Sequence, residues 1–182
     1  PRVVVTLART LDPSRFDVSV LCLNDRGPLS EELEAEGIPV HLVADGEGNA
    51  GYLAFRKVAR FFERENVDVV HTHNTQPFVD GGLAALLAGV SVHVHTDHAR
   101  EFPDRRRYMF AEWLLSHFAD RIVGVSEETS RDLIRFEKID PGKIVTIPNG
   151  IDDSPFRRPL DRKEKRRELG VGPDTPVIGV GV

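Results

Sequence analysis

Four apolar runs in the second half of the chain, at 67–74, 91–98, 122–126 and 144–150, each stop abruptly at polar residues. Each reads as a buried parallel strand, because a strand covered by helices on both faces is continuously apolar rather than alternating. In open α/β sheets, ligands gather where strands end at their carboxyl termini. His71, Thr72, His73, Asn74, Thr96, Asp97, His98, Ser126 and Asn149 would therefore line one rim. Helical spacing fills the intervals. Residues 52–65 place Leu53, Phe55, Val58, Phe61 and Phe62 on one side and Arg56, Lys57, Arg60, Glu63 and Arg64 on the other. Further helices are predicted over 2–11, 29–36, 77–87, 108–118 and 127–136, with strands at 17–23 and 38–43 and a Gly-rich loop at 45–51. Gly37 suits the left-handed residue that closes a helix, and the small residues of 77–87 let that helix lie close against a sheet. The alternation predicts an α/β fold, a Rossmann-like doubly wound parallel sheet flanked by helices.

The texture changes after Pro148. Pro148, Pro155 and Pro159 follow one another without an apolar period, which reads as a connector. A short surface helix is predicted at 162–169, and 177–182 reads as the start of a new strand. The expected division is 1–147 as the Rossmann-like domain, 148–176 as connector and 177–182 as the first strand of a second domain.

Composition narrows the possibilities. The 182 residues suffice for one full α/β domain, and 40% apolar with 29% charged residues is the balance of an ordinary globule. A net charge of -5 offers no general attraction for nucleic acid, although Arg105, Arg106 and Arg107 form a local basic cluster. The single cysteine, Cys22, sits in an apolar run and reads as a buried thiol in a reducing compartment. No stretch approaches the roughly 20 apolar residues of a membrane span. Arg105–Arg107 beside Phe102, Tyr108, Met109 and Phe110 would suit a peripheral contact with an anionic surface; the preferred reading is a solvated helix start over ordinary core residues.

Two histidine motifs could carry chemistry. His93, His95, Asp97 and His98 spell HxHxDH, the ligand run of metallo-β-lactamase-like hydrolases, and imidazoles two apart on a strand share a face. The context argues against a dinuclear metal site, since that fold is mainly antiparallel and the later chain offers only His117. His71, His93 and His95 read as core or second-layer imidazoles satisfied by neighbouring backbone. His73 and His98 differ, because each follows its strand's last apolar residue and would face the cleft.

The segments Val70-His71-Thr72-His73-Asn74, Thr96-Asp97-His98-Ala99-Arg100, Ala119 to Ser126, and Ile147-Pro148-Asn149-Gly150-Ile151-Asp152, in that order, resemble the amino-terminal half of family 4 glycosyltransferases, retaining enzymes of the GT-B fold. The resemblance implies a glycosyltransferase whose carboxyl-terminal domain holds most of a nucleotide-sugar donor, with this half facing a glycan or lipid-linked acceptor. It implies that His98 contacts the transferred sugar, that His73 and Asn74 border the acceptor pocket, that Arg100 meets a phosphate or acidic group, and that Thr96, Asp97, Ser126, Asn149 and Gly150 line the same crevice. No metal or other cofactor is implied, and the setting would be cytoplasmic, with a possible peripheral place on the inner face of the membrane. Family members carry a strand before the helix at 2–11, which would lie between the strands at 17–23 and 67–72. Its absence predicts a gap that another chain or residues 177–182 would fill, unless the polypeptide is a cut piece; because the resemblance puts the donor-gripping glutamates and basic residues in the carboxyl-terminal domain, this piece alone is expected to be inactive. Two other readings stand beside this one: a metal-dependent hydrolase using the HxHxDH run, and a non-catalytic Rossmann-like binding module.

Overall fold

The computed structural model describes residues 2–44, 51, 53–98, 102–150, 157 and 161–178. Residues 45–50 of the expected loop, Arg100, residues 151–156 and 158–160 of the connector, and the segment 179–182 lie outside the described residues. Two compact units are present, Pro1–Asn149 and Gly150–Val182.

In the first unit, helix and strand alternate as α1 (Arg2–Thr10), β1 (Val20–Cys22), α2 (Pro28–Ala35), β2 (Val40–Leu42), α3 (Ala54–Glu65), β3 (Val69–His73), α4 (Thr75–Ala88), β4 (Val92–Asp97), α5 (Arg106–Ser116), β5 (Arg121–Gly124), α6 (Glu127–Asp132) and β6 (Ile144–Thr146). Every strand pair is parallel. The strands form two sheets, β1-β2 and β3-β4-β5-β6, and among the described residues none is hydrogen bonded to both β1 and β3. The break falls where the gap was expected. Of the segment 177–182, Val177 and Ile178 are described, form no strand and are 52% and 92% exposed. A strand requires a partner for its backbone groups, and apolar pattern alone does not supply one.

Three clusters make the core. The amphipathic face of α3, through Ala54, Val58, Ala59 and Phe62, packs with Val43, Val70, Ala84 and Ala85, and Leu21 of β1 and Leu23 just after it join, so the apolar layer is continuous across the break between sheets. Phe78, Leu115, Ala119, Ile122, Leu133 and Ile139 form a second cluster beneath α4 and α5. Val5, Ala8, Leu33 and Val40 join α1 and α2 to the small sheet.

Close approach of α4 to the sheet depends on two adjacent glycines. A Cβ on Gly81 would lie 2.8 Å from the Thr72 methyl, and one on Gly82 would lie 3.0 Å from the His93 ring. The helix starts at Thr75, two residues earlier than its spacing predicted, because Pro77 falls in the first turn, where no backbone N–H is required. Gly37 closes α2 with φ +82°, as its position predicted. The helix expected at 127–136 is α-helical only to Asp132 and continues as a π-turn, Leu133–Glu137, closed by left-handed Lys138. Lys143 places Nζ 2.9, 2.6 and 2.9 Å from the carbonyl oxygens of Ser116, His117 and Ala119, where it donates hydrogen bonds to the end of α5. In the second unit, α7 (Arg162–Glu168) is capped by Asp161, whose side chain accepts from the N–H groups of Lys163 and Glu164.

Candidate functional site

The parallel direction of β3 to β6 brings their carboxyl ends to one rim. Asn74 leaves β3 with φ 67° and ψ 165°, a backbone region that essentially only glycine adopts without strain. Its carbonyl accepts from Phe78 N–H at 3.0 Å, its side chain does not cap α4, and the residue is exposed. Strained backbone at the lip of a cleft is a feature of ligand sites.

Histidines form two tiers on opposite faces of the sheet. On the outer face, His73 Nδ1 and His98 Nε2 share a hydrogen at 3.2 Å, with their rings stacked 5.5 Å apart. His71 lies 4.3 Å from the His73 ring and bonds through Nε2 to Thr96 Oγ1 at 2.8 Å. On the inner face, under α4, Thr72 Oγ1 lies 3.1 Å from His93 Nε2 and 3.0 Å from His95 Nδ1, and Phe78 stacks on His95 with centroids 3.9 Å apart. Asp120 fixes the base of β4 by accepting the His93 backbone N–H at 2.8 Å and donating its own N–H to the His93 carbonyl at 2.8 Å.

Burial sets the charge of these groups. It pushes His73 down to about 3, with help from neighbouring His71 and His98. His93 falls to about 4 for the same cause, although Asp120 opposes it. His95 lies well below its ordinary value; desolvation by packed neighbours also lowers His98 and, although its surface is exposed, His71, where nearby His98 adds to it. At neutral pH the imidazoles are uncharged, so each carries one N–H and a single hydrogen lies between His73 Nδ1 and His98 Nε2. If His98 carries it on Nε2, its Nδ1 is an acceptor; if His73 donates, His98 presents Nδ1–H as a donor. A paired, half-buried imidazole at a rim is suited to orienting hydroxyl groups.

The predicted site residues divide. His73, His98 and Asn74 come together at the rim. Thr96 and Asp97 are 5% and 2% exposed, so they support the rim from below instead of lining it; Thr96 does so by holding His71. Ser126 stands at the end of β5, but its Oγ caps α6 by accepting the Thr129 N–H at 3.0 Å. Asn149 and Gly150 are exposed, at the end of the first unit and the start of the second. Arg100 lies outside the described residues. His93 and His95 are buried as expected, although His95 Nε2 has no hydrogen-bond partner. His71 is not; it faces outward and is exposed, because successive strand residues point to opposite faces and Thr72 takes the inward place.

The HxHxDH run does not converge on one ion. His93 turns to Thr72 and His98 to His73, on opposite faces. A smaller group does form: one ring nitrogen of His95 and one carboxylate oxygen from each of Asp97 and Glu112 lie within 4.8 Å of one another, all buried. These donor types suit a divalent ion. Glu112 escaped notice in the sequence, since a lone carboxylate among the apolar residues of α5 reads as a solvent-facing position.

Comparison with known proteins decides the family. The sequence model of Glycosyltransferase Family 4 matches residues 1–155. The chain belongs to that family. Among curated members of the glycosyltransferases, it is 27% identical over 169 residues to UDP-Gal:alpha-D-GlcNAc-diphosphoundecaprenol alpha-1,3-galactosyltransferase of Escherichia coli, covering 87% of this chain and 43% of the relative. It is 32% identical over 163 residues to a D-inositol 3-phosphate glycosyltransferase of Actinosynnema mirum, covering 84% and 37%. This family 4 chain thus spans less than half the length of these relatives. Its fold is that of the GT-B glycosyltransferases: a Rickettsia africae glycosyltransferase superposes with TM-score 0.74 at 21% identity over 96% of this chain and 47% of that one. Anabaena Alr3699/HepE, solved with UDP and glucose, gives 0.73 at 20% identity over 93% and 47%.

Proposed function

We propose that this chain is the acceptor-side half of a retaining glycosyltransferase that moves a sugar from a nucleotide-sugar donor to a glycan or lipid-linked acceptor. The observation that carries the reading is the neutral His73–His98 pair at the carboxyl rim of a parallel sheet, in a chain of glycosyltransferase family 4. His98 hydrogen bonds the transferred sugar and His73 fixes its tautomer. Asn74 borders the acceptor, with Arg100 meeting its phosphate or acidic group. Ser126, Asn149 and Gly150 belong to the same crevice. Held this way, the sugar reaches a near-attack geometry, and aligned neutral dipoles stabilise a developing oxocarbenium-like centre without a resident metal.

The donor and acceptor classes draw support from relatives. The Escherichia coli protein is named for UDP-Gal and a diphosphoundecaprenol-linked sugar, and the Anabaena structure contains UDP and glucose. Among the described residues no helix is long and apolar enough to cross a membrane. The proposed setting is cytoplasmic, at the inner face of the membrane where a lipid-linked acceptor is presented. The test is turnover by the intact enzyme: UDP-sugar and a polyprenyl-diphosphate sugar should give a product with the donor's anomeric configuration, unaffected by a chelator, while these 182 residues alone give none. An inverted linkage, or hydrolysis without an acceptor that depends on added metal, would refute the reading.

A further inference from the structure

The inner face of the larger sheet holds a buried polar group that sugar transfer at the rim leaves unused. His95 and Asp97, two apart on β4, belong to this face, and Glu112 reaches them from α5. The three are 1%, 2% and 1% exposed, and one ligand atom from each lies within 4.8 Å of the others. Acidic side chains are seldom enclosed this completely unless they are paired or hold an ion. The His95 ring points to an ion. Its Nδ1 lies 3.2 Å from the Thr72 backbone carbonyl, which can only accept, so the neutral ring carries its hydrogen on Nδ1 and a lone pair on Nε2. Thr72 Oγ1, 3.0 Å from the same nitrogen, helps to fix the ring. With Nδ1 spent on Thr72, Nε2 is the nitrogen left to the carboxylates. It is buried without a hydrogen-bond partner, so no proton bridges it to either acid. Imidazoles that bind metals share this arrangement, with one nitrogen on the ion and the other donating to a backbone carbonyl. Phe78, stacked on His95 with centroids 3.9 Å apart, excludes water from one side of the ring.

We propose that His95 Nε2, Asp97 and Glu112 bind a divalent transition-metal ion that ties α5 to the end of β4. Two carboxylates cancel the charge of one such ion, and an imidazole beside them is a donor set that zinc accepts. Zinc bonds of about 2.0–2.2 Å draw the ligand atoms somewhat closer together, a movement that side-chain torsions supply. The site does not rest on the transferase reading. It lies on the face opposite His73 and His98, takes no part at the reacting centre, and is enclosed against a chelator added during turnover.

The experiment is to unfold the chain in urea with a chelator, refold it free of metal, and titrate it with zinc chloride in a calorimeter. About one zinc ion per chain should bind. With free zinc at about 100 times its Kd, Tm should rise by about 5 °C or more. Glu112→Gln and Asp97→Asn keep the side-chain shapes and should each weaken zinc binding by about 100-fold or more. His73→Ala should bind zinc as the parent does, because its ring is on the other face. A refolded parent that neither binds zinc nor gains Tm would overturn the proposal, and this titration decides even where a variant fails to fold. Zinc binding that survives in folded Glu112→Gln and Asp97→Asn chains would overturn it too. So would zinc lost in His73→Ala, since the ion would then belong to the rim pair.

Discussion

Gly124→Ala is the sharpest test of how β5 delivers its rim residues. Gly124 ends β5 and faces α6. A Cβ there would fall inside contact distance of Ser130 Oγ, and would stand 3.0 Å from the Ser130 nitrogen and 3.2 Å from its Cα. The hydroxyl can rotate away, but only by giving up its 2.9 Å hydrogen bond to Thr146 Oγ1, and the helix backbone cannot yield without shifting α6. Overpacking of this sort costs about 1–3 kcal/mol, and the lost hydrogen bond adds about 0.5–1.5 kcal/mol. A destabilisation of about 2–4 kcal/mol corresponds to a fall in Tm of roughly 4–16 °C for a unit of this size. Urea unfolding followed by circular dichroism measures it. Ser130→Ala in the Gly124→Ala background should restore only part of the loss, because the backbone contacts remain. A Gly124→Ala chain within about 0.5 kcal/mol of the parent would refute this description of the strand–helix contact.

Two further outcomes follow from the buried polar tier. Thr72→Val keeps the methyl that fits against Gly81 but strips the hydroxyl from His93 Nε2 and His95 Nδ1; unfolding should show a loss of about 1–3 kcal/mol, and an unchanged midpoint would mean that these contacts do not hold the tier. His73 and His93 protonate near about 3 and about 4 in the folded chain against an ordinary 6.5. The unfolded chain therefore binds more protons in that interval, and stability, full above about pH 6.5, falls as pH is lowered through it. The urea midpoint should be lower at about pH 5 than at about pH 7, and equality of the two would show that these imidazoles are not held neutral.

Much of this architecture was legible in the residues because apolar runs alternating with amphipathic helices mark parallel strands, although β3 is buried on its inner face only, with Val69 48% exposed and His71 exposed. The apolar runs around Val70, Val94 and Ile122 could be nothing but interior strands once helices alternated with them, and direction then placed His73 and His98 together. The same periodicity, counted correctly, would have turned His71 outward, since its neighbour Val70 is in the core. What could not be read depends on three-dimensional partners. Nothing local marks Glu112 as internal, Lys143 as the cap of α5, or Leu133 as the start of a π-turn. Phe110 was expected to be covered and is 61% exposed, because hydrophobicity says how much a side chain favours burial and not whether a neighbour exists to cover it. The strand expected from Val177 failed at its first two residues for a related reason.

The most direct test of the rim is the kcat/KM for donor sugar of the intact enzyme with His98→Ala and with His73→Ala, each compared with the parent after confirming an unchanged fold. The account predicts a loss of about 100-fold or more for His98→Ala and a smaller loss for His73→Ala with an altered pH profile. A folded His98→Ala enzyme that turns over donor within about twofold of the parent would contradict it.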